Sequence, residues 1–149
     1  MGSAIIHCAT LIKSMPVGPA LEDITGDLNA ALQESGVNDG VLHATAVGST
    51  TSLTTIEFEP GVIEDLKRAI MRLAPLGLDY EHERAWHDGN GHSHVQAALL
   101  GPSLSVPIRN GKLALGTWQQ AVIINHDNRA RERRVEVTIV GYWPVNSEQ

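Results

Sequence analysis

The chain has 149 residues, 42% of them hydrophobic and 19% charged, which is the length of one ordinary domain with room for a single core. A net charge of −6, with histidine neutral, argues against nucleic-acid phosphate as the main partner, and no apolar run approaches the ~20 residues of a membrane span. One cysteine, Cys8, excludes an intramolecular disulfide and a thiolate-rich metal site, and the chain reads as cytoplasmic.

In chain order, residues 4–12 are apolar and read as a first strand, with Cys8 expected inside it as a buried small hydrophobe. Residues 15–19, with Pro16 and Pro19, break that strand. Ile24, Leu28, Ala31 and Leu32 then recur at helical spacing over residues 23–35, and Gly36 stands where a C-terminal cap belongs. Two strands, residues 41–47 and 51–58, are split by Gly48 and Ser49. A second helix opens at Pro60 behind Glu59, carries the stripe Val62, Ile63, Leu66, Ala69, Ile70 and Leu73, and stops at Pro75. Residues 79–90 are polar and end in turn chemistry. A short helix over 93–100 is closed by Gly101 and Pro102. Strands at 104–108 and 112–115 flank Arg109, Asn110 and Gly111, a hairpin signal, and Pro107 places the first of them at an edge or bulge. Residues 121–125 and 135–142 complete the strands around a polar turn at 127–134. About seven strands and three helices, with no repeat or linker, predict one α+β domain over residues 1–149.

The chemistry concentrates in one place. His82, His87, His92 and His94 fall within thirteen residues, beside Glu81, Glu83 and Asp88. Imidazole and carboxylate are what zinc or a similar divalent ion takes where thiolates are absent, although a solvated polar loop has the same composition. If residue 93 begins a helix, His92 and His94 point about 200° apart, so one of the two faces a given site. The Gly48–Thr51 stretch offers backbone N–H groups and hydroxyls to a phosphate, or is an ordinary Ser/Thr turn. Glu57 and Glu59 share one face of a strand, and Glu59 also suits a helix N-terminus. Trp118, among polar groups, lines a pocket or fills core. Arg129, Arg131, Arg133 and Arg134 read as a solvated turn, with a phosphate-binding patch as the alternative.

Four blocks in order resemble the YjbQ family: GSTTSLTTIEFEP over 48–60, WHDGNGHSH over 86–94, ALLGPS over 98–103 and LGTWQ over 115–119. The resemblance spans residues 4–141. It implies a compact α+β domain of two packed mixed or antiparallel sheets with flanking helices, assembled as a homotrimer. It also implies the activity described for that group, a secondary thiamine-phosphate synthase. Such an enzyme joins a pyrimidine-methyl diphosphate to a thiazole phosphate and releases pyrophosphate, so its partner is a small phosphorylated metabolite. On this resemblance the catalytic set is Glu59, His82, Asp88 and His94, with Glu57 the alternative to Glu59. Ser49, Thr50, Asn90, Thr117, Trp118 and Gln119 contact substrate. The resemblance implies His82 and His94 as ligands for zinc or magnesium, and, because many members carry a His where this chain has Ser49, His87 is the candidate substitute that completes the set. A metal-dependent hydrolase, or a non-catalytic module binding a small anion, fits the same residues.

Overall fold

A computed structural model describes residues 3–144. Its elements are β1 (Ile5–Met15), β2 (Ala20–Asp23), α1 (Thr25–Ser35), β3 (Asp39–Val47), β4 (Thr51–Ile56), α2 (Pro60–Leu73), α3 (Glu81–Trp86), α4 (Gly91–Leu100), β5 (Ser103–Arg109), β6 (Lys112–Leu113), β7 (Gln120–Asn125) and β8 (Arg131–Tyr142). They build two antiparallel sheets, one in the order β1-β8-β3-β5-β6 and a smaller one in the order β2-β7-β4. No helix among the described residues is long and apolar enough to cross a membrane.

The core follows from period-two alternation in the long strands. Leu42, Ala44 and Ala46 of β3, Val106 and Ile108 of β5, and Val135, Val137 and Ile139 of β8 are buried on one face of the large sheet. Leu28, Ala31 and Leu32 of α1, with Leu53 and Ile123 of the small sheet, close over that face. β7, central in the small sheet, is buried along nearly its whole length, as a strand covered on both faces must be. Gly40 and Gly141 stand opposite each other where β3 meets β8, and a Cβ on either would strike the backbone of the other strand.

Local signals in the sequence hold where the chemistry is specific. Gly36 caps α1 at φ 69°, and Asn110 and Gly111 both take positive φ in the β5–β6 turn, the geometry of a type I′ hairpin. Pro60 opens α2, and the carboxylate of Glu59 accepts the amides of Gly61 and Val62 at 2.8 and 2.9 Å. Pro107 lies where β5 has only the two-residue β6 on its outer side. Four readings change. β2 and α3 are additional elements, giving eight strands and four helices among the described residues. Cys8 is exposed, because its place in β1 faces away from the core. The α2 stripe buries only Ile70, and Leu73 is 70% exposed. Arg133 is buried, because in β8 it alternates onto the same face as Val135 and Val137.

Candidate functional site

Position i and i+4 of one helix face the same way, so α3 presents His82 and Trp86 together, with ring centroids 6.4 Å apart and planes 22° from parallel. Left-handed backbone at His87 (φ 52°) and Gly89 (φ 69°) then doubles the chain back. That reversal brings Asp88 Oδ1 to 3.5 Å from His82 Nδ1, while Glu83 Oε1 stands 3.6 Å from the same nitrogen. His82 Nδ1 is enclosed and has no hydrogen-bond partner among the described residues. One ligand atom each from His82, Glu83 and Asp88 fit within 4.8 Å of one another. Partial burial works to raise the Glu83 pKa. The amides of Gly91 and Gly89 and the His82 ring outweigh it and hold the carboxylate ionised below its ordinary range.

α4 begins at Gly91, where any Cβ would collide with Tyr80, so only glycine lets the helix start this close to α3. The helix separates its two histidines as their spacing predicts. His94 turns to His82, with ring centroids 4.5 Å apart and planes at 39°, whereas His92 is buried and contacts Ser93. Burial lowers the His92 pKa, so that imidazole is held neutral.

A buried polar network carries this assembly. Asp127, nearly without solvent contact, accepts from Thr50 Oγ1 at 2.9 Å, Asn90 Nδ2 at 3.2 Å and the Arg129 amide at 3.0 Å, and it pairs with Arg131 Nε at 3.1 Å. Asn90 also accepts from the Asn128 amide and the Ser93 hydroxyl, and its own amide bonds Asp88 Oδ1. The strand-end turn at 48–51, the loop carrying Asp88 and the start of α4 are therefore fastened to one carboxylate. Beside it, Ser52 donates to His126 Nε2 at 2.7 Å. His126 Nδ1 meets Gln96 Oε1 at 3.0 Å, and Gln96 Nε2 donates to the carbonyl of Ala74. Because the Gln96 amide is oriented by Ala74, His126 is the neutral tautomer with its proton on Nδ1.

The expected site residues fall into two groups. His82, Asp88 and His94 meet. Ser49 joins them by lining, with His94 and Gly48, a cavity of about 270 Å³. Thr50 and Asn90 are buried in the Asp127 network rather than facing that cavity. His87 is exposed and lies outside the donor cluster. Glu59 and Trp118 line a different cavity of about 400 Å³ with Asp23, Glu57 and Phe58. That cavity opens at the far end of β4, whose six residues span about 20 Å. There Gln119 bonds Thr55 at 3.1 Å, and Thr117 and the 74%-exposed Trp118 lie on the loop before β7. Asp127, expected only as part of a polar turn, is the centre of the site region. Glu83, expected in the polar cluster without a role, and Arg133, expected in a solvated turn with a phosphate-binding patch as the alternative, also belong to it. For Arg133 a signal was present, the alternation through Val135, Val137 and Ile139.

The two antiparallel sheets and four helices of the described residues define a class of small two-sheet α+β proteins. Residues 13–142 match the model of that class, described as UPF0047 protein YjbQ-like, and the chain belongs to the YjbQ family. A UPF0047 protein of Archaeoglobus fulgidus is 38% identical over 115 residues, covering 77% of this chain and 86% of that one. A UPF0047 protein YjbQ of Escherichia coli O157:H7 is 33% identical, covering 76% and 83%. Among solved structures, a YbjQ-like protein of Sulfolobus solfataricus superposes with a TM-score of 0.89 at 28% identity, covering 94% of this chain and all of that one. A YjbQ/UPF0047 protein of Clostridium acetobutylicum does so at 0.77 and 34%, covering 87% and 98%.

Proposed function

We propose that the protein is an enzyme acting on a small phosphorylated substrate, with His82, Glu83 and Asp88 holding a divalent ion and His94 handling a proton beside it. The observation that carries this reading is the enclosed, partnerless His82 Nδ1, 3.5 and 3.6 Å from two carboxylates. Ligand atoms about 2.0–2.2 Å from one tetrahedral ion stand about 3.3–3.6 Å apart, which is the spacing of coordination rather than of hydrogen bonding. One imidazole and two carboxylates suit zinc better than magnesium, which prefers oxygen alone. When bound, such an ion neutralises charge on a phosphate or departing diphosphate. The chain's own groups do the rest. The Trp86 ring and the amides of Gly89, Gly91 and Asn90 orient the three donors. His94 is within reach of the cavity, where it gives or takes a proton, and the exposed Ser49 offers a hydroxyl.

Within this reading, the family resemblance supports joining a pyrimidine-methyl diphosphate to a thiazole phosphate. One observation favours hydrolysis instead: Asp88 is 40% exposed, so water reaches the donors. The test starts from protein purified without chelator or affinity metal. About one zinc per chain is expected, lost in His82→Ala. In His94→Ala, turnover falls by at least about 100-fold, the usual contribution of a general acid or base. Coupled product with pyrophosphate identifies the transferase, and inorganic phosphate without the acceptor identifies the hydrolase. A wild-type protein that takes up no metal on titration, or binds both phosphates without turnover, overturns the proposal.

A further inference from the structure

Arg133 is 92% buried, yet its guanidinium is only partly used. Nε and Nη2 donate to Asn125 Oδ1 at 3.2 and 2.7 Å, and Nη2 also reaches the carbonyl and hydroxyl of Thr50. Nη1 donates to no described residue, and it is not among the enclosed atoms that lack a partner, so it retains contact with solvent. Its direction is given by Gly48: a Cβ there would lie 3.1 Å from Nη1 and 3.2 Å from Thr51 Cγ2. Gly48 and Thr51 are walls of the cavity that Ser49 and His94 also line. Arg133 is not itself a lining residue of that cavity; Nη1 stands behind Gly48 at the cavity's edge, with no side chain at 48 to cover it.

Immediately around Asp127 the charge balance is positive. Asp127 is one carboxylate shared between Arg131 Nε at 3.1 Å and Arg133 Nη2 at 3.8 Å, so two guanidiniums face a single negative charge. A buried cation with free N–H groups, half-neutralised and held rigid by Asn125 and Thr50, is preorganised for an anion. Rigidity matters because an arginine already fixed in place loses little side-chain entropy when it binds.

We infer that Arg133 Nη1, standing behind Gly48 at the edge of the Ser49–His94 cavity, is the anchor for the phosphate group of the substrate. This deepens the proposed function by assigning the phosphate end: one oxygen sits on Nη1, the Ser49 hydroxyl takes a second, and the reacting end points toward His94 and His82. The ligand class is a small phosphate or diphosphate ester, because the overall charge of −6 confines attraction for anions to such local positive corners.

The probe is inorganic pyrophosphate, titrated into full-length protein kept metal-free by chelator and followed by side-chain and amide NMR. The expected result is that the Arg133 N–H signals and the Gly48 and Ser49 amides shift along one saturation curve. Replacing Arg133 risks unfolding, since it also holds Thr50 and Asn125. The exposed Ser49→Asp instead sets a carboxylate on the cavity wall next to Gly48, and it should weaken pyrophosphate at least tenfold without lowering the melting temperature. Binding that leaves the Arg133 signals unmoved, no binding by about 10 mM, or equal affinity in Ser49→Asp overturns the anchor. A parallel zinc titration followed at His82 keeps the two readings apart: zinc binding without pyrophosphate binding overturns the anchor alone, and the converse overturns the metal site alone.

Discussion

Asp127→Ala should cost about 3–5 kcal/mol of folding stability, the usual consequence of removing one side of a buried ion pair. The carboxylate is buried, and the substitution leaves Arg133 charged in the interior with Thr50 Oγ1 and Asn90 Nδ2 deprived of their acceptor. Burial alone would raise the Asp127 pKa, but the hydrogen bonds from Thr50 and Asn90, the Arg129 amide and the Arg131 charge bring it below its ordinary value. The group is therefore ionised at neutral pH and its removal deletes a full charge. Urea denaturation of the variant and the wild type measures the effect. A loss under about 1 kcal/mol, typical of a surface substitution, would show that the network holds without its centre.

Acid should destabilise the protein well before its carboxylates titrate. Burial, the Arg133 charge and the neighbouring His92 push the His126 pKa from 6.5 down to about 4. In the unfolded chain the same imidazole takes up a proton near pH 6.5, so below that pH the unfolded state binds more protons than the folded one. The stability contributed by neutral His126 is thus complete above pH 6.5 and is lost as the pH falls toward 4. The total is about 3 kcal/mol, of which about 2 kcal/mol is gone at pH 5. His92, also held below its ordinary value by burial, adds loss of the same sign. Denaturation curves at pH 7.5 and 5.0 check the size, and an NMR titration of the His126 ring with a midpoint near 6.5 would refute the assignment.

What could be read from residues alone was whatever obeys short-range rules. Gly36, Glu59 with Pro60, and Asn110 with Gly111 act within four positions of themselves, and each takes the expected role. Helical rotation likewise separates His92 from His94 on their spacing alone. β2 escaped because four residues carry no period, and it is a strand only because β7 offers it a ladder. α3 escaped because a six-residue polar helix owes its shape to Tyr80, Glu83 and the Gly89 turn rather than to an apolar stripe. Cys8 was misplaced because an apolar strand does not reveal that only one of its faces is covered. The site divides the same way. The histidines are visible as a cluster, whereas Asp127 and Arg133 matter through partners up to 83 residues away, which composition does not encode.

The longest ladder in the fold joins its first strand to its last: eleven register pairs run from Ile5 opposite Gly141 to Met15 opposite Arg131. Until residue 142 has left the ribosome, β1 has no neighbour, since β8 is the strand that separates it from β3. The exposed Ile6 and Ile12 of a waiting β1 are then available to other chains. Closing so long a loop before any pairing rewards it places the protein among slow folders, in the range of roughly milliseconds to seconds. During synthesis the vulnerable species is thus a chain whose other strands have emerged while β8 has not, and β8 is the segment whose arrival ends the risk.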